Sequence, residues 1–261
     1  MTSSRVQDVA DLGLDLDADT HVATLEIRRP PNNSMDVDLI SAIADAVELL
    51  GDDPRCRAIV LRSQGKHFSA GRDFSKPREE GDTAGALYEH AARILAGKKP
   101  IVAAVQGAAV GGGLGLALAA DFRVATERTR FVCNFAQLGF HHGFGLTVTL
   151  PALVGQQRAL EVLLTGARLS GEDGYAMGLC DRLVAEDILH STANAFATQL
   201  AESAPLAVQS IRSTMRGSLV AQFRSATTRE LAEQERLRQT RDFQEGIQAS
   251  QEKRKPAFEA R

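Results

Sequence analysis

Residues 105–115 read VQGAAVGGGLG, and residues 67–74 read HFSAGRDF. The first stretch leaves an apolar run, KKPIVAAV, entered through Pro100. It passes over three consecutive glycines, Gly111 to Gly113, into LGLALAAD. That order predicts a buried strand, a turn and a buried helix whose N-terminus carries partial positive charge. A helix start of this kind offers free N–H groups to a negative oxygen. Glycine there also suits close packing of helix on strand. Phosphate cradling is a further alternative, but no Lys-Ser/Thr pair follows the glycines, which argues against a P-loop. The second stretch, His67-Phe68-Ser69-Ala70-Gly71-Arg72-Asp73-Phe74, leaves the apolar strand RAIVL through small residues. It reads as a tight turn, or as backbone opened to a ligand with amides turned to an oxygen.

Outward from these two loops, strands and helices alternate. HVATLEIRR is a strand within an opening hairpin, broken by Pro30, Pro31, Asn32 and Asn33. Residues 36–50 set Val37, Ile40, Ile43, Ala44, Val47 and Leu50 on one helical face, and Gly51 ends the helix. A second helix is expected over 83–97. DFRVATERTRFVCNF gives two short strands, and QLGFHHGFGLTVTLPALVG a loop and a helix. Strands alternating with helices predict an α/β fold through about residue 200. Residues 205–250 are helical by period and poor in large apolar side chains, which predicts a docked helical appendage. The expected organisation is a core over 1–200 and a C-terminal helical region over 201–261.

Composition narrows the function. The chain has 261 residues, 44% hydrophobic and 24% charged, with a formal net charge of -3. A globular core is within reach, and no strongly basic surface draws the chain to nucleic acid or an anionic membrane. Cys56, Cys133 and Cys180 show neither CxxC spacing nor a metal-type cluster. They suit reduced, buried thiols in a reducing, cytoplasmic setting. The N-terminus lacks an apolar signal core. The apolar stretch from Pro100 to Ala120 is interrupted by Gln106 and glycines, unlike a membrane span.

HFSAGRDF followed by VQGAAVGGGLGLALAADFRVA resembles the enoyl-CoA hydratase/isomerase (crotonase) superfamily. The resemblance covers nearly the whole chain, including RRPPNNSMD, LGFHHGFG, LLTGARLSGEDGYAMGLCDRLV, APLAVQSIR and the closing EKRKPAF. It implies a spiral of ββα units with a C-terminal helical trimerisation region, as a homotrimer or a dimer of trimers. It implies an acyl-CoA substrate, with coenzyme A as part of that substrate and no metal or other cofactor. The backbone amides of Arg72 and Gly112 would form an oxyanion hole for the thioester. Ala70, Gly71, Asp73 and Phe74 would line the coenzyme A path. Arg28, Arg29 and Phe258 would also meet coenzyme A, although Arg28 and Arg29 read equally well as solvated strand-end charges.

The sequence departs from the family pattern at the chemistry. The resemblance puts the two usual catalytic glutamates at Gly115 and Phe135, and neither residue can transfer a proton. The loop Leu138–Gly145 carries His141 and His142, whose imidazoles titrate near neutrality and are candidates for acid/base work. One His capping the next helix and the other exposed is the competing reading. An acyl-CoA binding protein that has lost catalysis is the alternative function. Weaker candidates are Tyr88, Glu89 and His90, which cannot all face one way on a helix, together with His67, Asp121 and Cys133.

Overall fold

Two runs that alternate apolar and polar side chains open the chain as the computed structural model describes it, over residues 11–74 and 80–261. β1 (Leu12–Asp17) and β2 (Val22–Ile27) pair antiparallel, with Leu14 opposite Leu25 and Leu16 opposite Ala23. Residues 1–10 of the expected opening hairpin lie outside the described residues. α1 (Val37–Asp52) follows, its first turn capped by the Asp36 carboxylate, which accepts from the Leu39 N–H at 2.9 Å. β3 (Ala58–Ser63) leads to α2 (Ala84–Leu95), capped by Thr83, and then to β4 (Ile101–Val105). All five residues of β4 are buried. That continuous apolar run fits a parallel strand covered on both faces.

β5 (Ala108–Val110), α3 (Gly112–Ala119), β6 (Phe122–Thr126) and β7 (Arg130–Val132) come next. A 3₁₀ turn at Ala136–Leu138 precedes α4 (Leu146–Val154) and α5 (Gln156–Thr165). β8 (Arg168–Ser170), α6 (Gly171–Ala176) and β9 (Arg182–Val184) complete the strands. One sheet has the order β1-β2-β3-β4-β6-β9, parallel from β2 onward; a second runs β5-β7-β8. The chain is thus the α/β spiral expected from the sequence.

α7 (Leu189–Ala201) covers one face of the larger sheet, setting Leu189, Ala193 and Ala197 against Val60, Val102 and Val124. The main core lies on the other face, between the sheet and α1, α2 and α3. α8 (Pro205–Leu237) spans 33 residues, about 50 Å at 1.5 Å per residue. Asp121, at the end of α3, accepts from Arg212 at 2.9 Å and from Arg216 at 2.6 Å, and so fastens α8 to the core. α9 (Arg241–Gln251) packs on the 3₁₀ turn: a Cβ at Gly246 would come 2.5 Å from the Leu138 carbonyl carbon. Among the described residues, no helix is long and apolar enough to cross a membrane.

Candidate active site

The segment after β3 turns back beside β5 and pairs with it in parallel. Phe68 N–H donates to Gln106 O at 2.9 Å, Ser69 N–H to Ala108 O at 3.1 Å, and Val110 N–H to Ser69 O at 2.9 Å. Ser69 is bridged to Ala109, an offset of 40 (109 − 69), and the same offset relates Arg72 to Gly112 (112 − 72). Two glycines permit this approach. A Cβ at Gly113 would lie 2.3 Å from Ser69 O; one at Gly71, where φ is +75°, would lie 2.5 Å from Val110 O. Gly112 opens α3, so its N–H has no partner inside the helix.

A second clamp holds the loop from outside. Asn33 is fully buried, and its side-chain amide donates to Gln64 O at 2.7 Å and His67 O at 2.6 Å. Asn32 O accepts from Ala70 N–H at 2.8 Å, and Gly71 O from Met35 N–H at 3.0 Å. His67 Nδ1 accepts from Ala108 N–H at 3.1 Å. Burial and then Lys66 lower the pKa of that imidazole, which suits a structural acceptor.

Arg72 and Gly112 both line a cavity of about 500 Å³, together with Ala70, Gly71, Asp73 and Phe74. Met35, Leu138 and the rings of Phe135, Phe140 and Phe144 give it apolar walls. Position 115 has no room for a side chain facing this way, since a Cβ there would come 2.6 Å from Phe144. Phe144 itself is held at φ 59°, an uncommon conformation for a bulky residue. Phe135 lies against Gly111, 3.4 Å from a Cβ built there. Among the described lining residues there is no glutamate.

Polar groups enter the cavity from α2 and α8. The Tyr88 hydroxyl donates to Gln234 Oε1 at 3.0 Å, and Gln234 Nε2 donates to His141 O at 3.0 Å. Burial pushes the Tyr88 phenol well above its ordinary range, so it remains a protonated donor. Arg238, just past α8, completes this wall. Tyr88, only a weaker candidate in the sequence, thus lines the cavity, whereas Asn33, Gln234 and Arg238 were not among the candidates. One signal was available: Phe223, Thr227, Glu230 and Gln234 recur at i, i+4, i+7 and i+11, the spacing of one helical face.

His141 and His142 do not line the cavity, although Gly143 and Phe144 do. Their rings stack at 4.1 Å behind the wall. His142 Nε2 lies 2.9 Å from Thr147 Oγ1, whose single proton goes to Glu230 Oε1 at 2.5 Å; the imidazole therefore donates. Glu230, fully buried, also accepts from the N–H groups of Gly145 at 2.8 Å and Thr147 at 3.0 Å. A carboxylate from α8 thus caps the start of α4. Burial first, and then His141, lower the His142 pKa to about 4. The imidazole is neutral near pH 7 and is engaged in holding the loop.

The remaining candidates are engaged elsewhere. Arg29 pairs with Asp11 at 2.9 Å and with Asp36, and Arg28 with Glu26 at 3.3 Å. The Arg72 side chain pairs with Asp82, leaving its backbone as the part on the cavity. Phe258 is 43% exposed and lies outside the cavity lining. Glu89 pairs with Arg224 at 2.7 Å, and His90 lies 2.8 Å from an Arg93 nitrogen. Cys133 is buried, its thiol pushed up to about 12, the reverse of an activated nucleophile.

The model of the family "Enoyl-CoA hydratase/isomerase" matches residues 17–261. A "Probable enoyl-CoA hydratase" of Bacillus subtilis is 32% identical over 253 residues, covering 94% of this chain and 98% of the relative. A "Carnitinyl-CoA dehydratase" of Salmonella enteritidis is 32% identical over 249 residues, covering 92% and 95%. The crystal structure of an enoyl-CoA hydratase/isomerase from Pseudoalteromonas atlantica superposes with a TM-score of 0.87 at 29% identity, covering 95% of this chain and 100% of that one.

Proposed function

The chain belongs to the enoyl-CoA hydratase/isomerase family, and on that premise we propose that it processes an acyl-CoA thioester whose carbonyl oxygen is received by the backbone N–H groups of Arg72 and Gly112. The observation that carries this reading is the parallel pairing of Ser69 with Ala109, just beyond which Arg72 and Gly112 both line one cavity. Two amides directed at one oxygen stabilise an enolate or tetrahedral oxyanion more than the ground-state carbonyl, because the charge develops where the donors already point. Gly112 adds the positive end of α3. Ala70, Gly71, Asp73 and Phe74 supply the wall along which coenzyme A would lie. Arg28 and Arg29 are not part of this reading, since a phosphate would have to displace Glu26, Asp11 or Asp36. Phe258, outside the cavity lining, is left out as well. The proposed chemistry calls for no metal or redox group.

Proton transfer is the less conventional part. With Gly115 and Phe135 where the resemblance puts the usual glutamates, addition of water to a simple enoyl-CoA lacks both its base and its acid. The His141–His142 pair is assigned to the loop and not to proton transfer, because its rings stack outside the cavity. One observation favours a second reading, an acyl-CoA binding protein without turnover: Phe144 fills the space in front of position 115. Calorimetry with acetyl-CoA and crotonyl-CoA, followed by a screen of acyl-CoA thioesters by mass spectrometry, tests both. Binding with turnover of some thioester supports the enzyme, and binding without turnover of any supports the second reading. Failure to bind every thioester removes the proposal. Hydration of crotonyl-CoA at about 10 per second or more would remove the argument from the glutamates.

A further inference from the structure

We propose that Phe144 sets the length of acyl chain the cavity accepts, and that Tyr88 and Gln234 hold it in that position. The inference rests on the acyl-CoA reading above and deepens it, from an acyl group of any length to a short one. Phe144 lies over two glycines of α3. Its Cδ2 is 3.7 Å from a Cβ built at Gly112, and its Cβ and ring carbons are 2.6 Å from one built at Gly115. Phe135 lies against the neighbouring Gly111, at 3.4 Å from the Cβ built there. An acyl chain leaving an oxygen held at Gly112 therefore meets an aromatic ring within its first few carbons. The Phe144 ring meets those of Tyr88 and Phe223 edge to face, with centroids at 6.3 Å and 6.5 Å. Both are buried, so Phe144 closes the cavity against packed core and not against solvent.

The backbone alone would not choose this place for the ring. At φ 59° a bulky residue is held in the left-handed region, which persists only where the surroundings over-determine it. Glycine would adopt the same φ at no steric cost, as Gly145 does next door at φ 70°. Contacts on either side impose the conformation. Before residue 144, Gln234 Nε2 donates to His141 O at 3.0 Å while Gln234 Oε1 accepts from the Tyr88 hydroxyl at 3.0 Å. The same two side chains press on Gly143, where a Cβ would collide with the Tyr88 hydroxyl and with Gln234 Nε2. After residue 144, the Glu230 carboxylate accepts from the N–H groups of Gly145 at 2.8 Å and Thr147 at 3.0 Å. Gln234 is 2% exposed, and a buried amide that loses its partners is costly. α2 and α8 thus grip the loop from both ends, and the ring between them ends the cavity at a set depth.

Calorimetry with acetyl-, butanoyl-, hexanoyl- and octanoyl-CoA reads this depth, since coenzyme A is common to all four. Each methylene taken out of water tightens binding about four-fold. In the wild type that gain is expected to stop at butanoyl-CoA, with hexanoyl- and octanoyl-CoA binding no more tightly. Phe144→Ala leaves a largely apolar space that can take further carbons. It is expected to bind hexanoyl-CoA about fifteen-fold more tightly than butanoyl-CoA, two methylenes' worth. Phe144→Leu keeps more of the packing should the alanine variant fail to fold, and is expected to show about a four-fold preference. Gln234→Leu removes the grip on the loop and is expected to shift the profile toward longer chains. A wild type that gains about four-fold per methylene through octanoyl-CoA, or Phe144 variants that keep the wild-type profile, would overturn the inference and leave the acyl-CoA reading standing. Equal weakening of all four thioesters in Gln234→Leu, with the profile unchanged in shape, would overturn the positioning role. Loss of binding for every thioester in the wild type would remove the acyl-CoA reading and this inference together.

Discussion

The His142 imidazole, donating to Thr147 beside the Glu230 carboxylate, gives the site a residue whose protonation the fold resists. Its folded pKa of about 4 lies below its ordinary 6.5 because burial, and then His141, disfavour the charged form. As pH falls, the unfolded chain takes up this proton first. The neutral ring's contribution is therefore complete above pH 6.5 and is lost as pH falls toward 4, by ~3 kcal/mol at most. Glu230, 3.8 Å away and held above the usual carboxylate range by burial, works in the opposite direction and offsets part of the loss. Thermal melts between pH 4 and 7 should show a smaller pH slope for His142→Gln than for the wild type. Identical slopes would show that the imidazole is not held neutral. Paired histidines were conspicuous in the sequence. Their position behind the wall was not legible, because it depends on Glu230, 88 residues further along (230 − 142) on a separate helix.

At the scale of elements, the helices were legible wherever they bury a stripe. α1 was expected over 36–50 and spans Val37–Asp52, with the Asp36 cap at its start. α8 showed the period but concealed what it touches, since its buried face is largely polar: Arg212, Thr227, Glu230 and Gln234. Such a face finds its partners only in the folded molecule. Asp121, a weaker site candidate in the sequence, instead binds Arg212 and Arg216 of α8. It also accepts from Ile101 N–H at 2.8 Å, at the head of β4. Asp121→Asn leaves two guanidiniums without their carboxylate, one of them buried, and should cost about 3–5 kcal/mol. Chemical denaturation measures this directly. A loss below about 1 kcal/mol would mean that α8 is held by its apolar side chains alone. Because Gln234 and Arg238 ride at the far end of the same helix, the variant should also weaken thioester binding.

For the whole molecule, the family motifs and the alternation of strands and helices made the α/β spiral readable. The sheet order was not, because it requires pairings such as β4 with β6 and β6 with β9 that leave no local trace. We propose a homotrimer or a dimer of trimers, as the family resemblance implies. α8 leaves Leu206 79% exposed, Ile211 64% and Met215 74%, and α5 leaves Leu164 74% exposed. Apolar side chains gathered on helices in this way suit burial against another subunit. Sedimentation at micromolar protein should give a trimer or a hexamer, and Met215→Asp should shift the distribution toward smaller species. A stable wild-type monomer would remove the proposed assembly.

The pairing of Ser69 with Ala109 makes the proposed carbonyl seat a matter of spelling length, not of spelling. In that proposed seat backbone would supply both donors, so the letters at 72 and 112 would matter only through the room they need, whereas the number of residues between the ladder and each donor would be fixed. Arg72→Ala should keep thioester affinity within about three-fold, a small free-energy change. A single alanine inserted between Gly71 and Arg72 should abolish turnover of any substrate found, because it slides one amide a residue past the other. An insertion variant that folds and works as well as the wild type would show that the two strands do not keep this register during chemistry. Outside the glycines that let the two segments approach, the proposed seat is thereby open to exchange of residues and closed to gain or loss of them, a vernier cut into the chain.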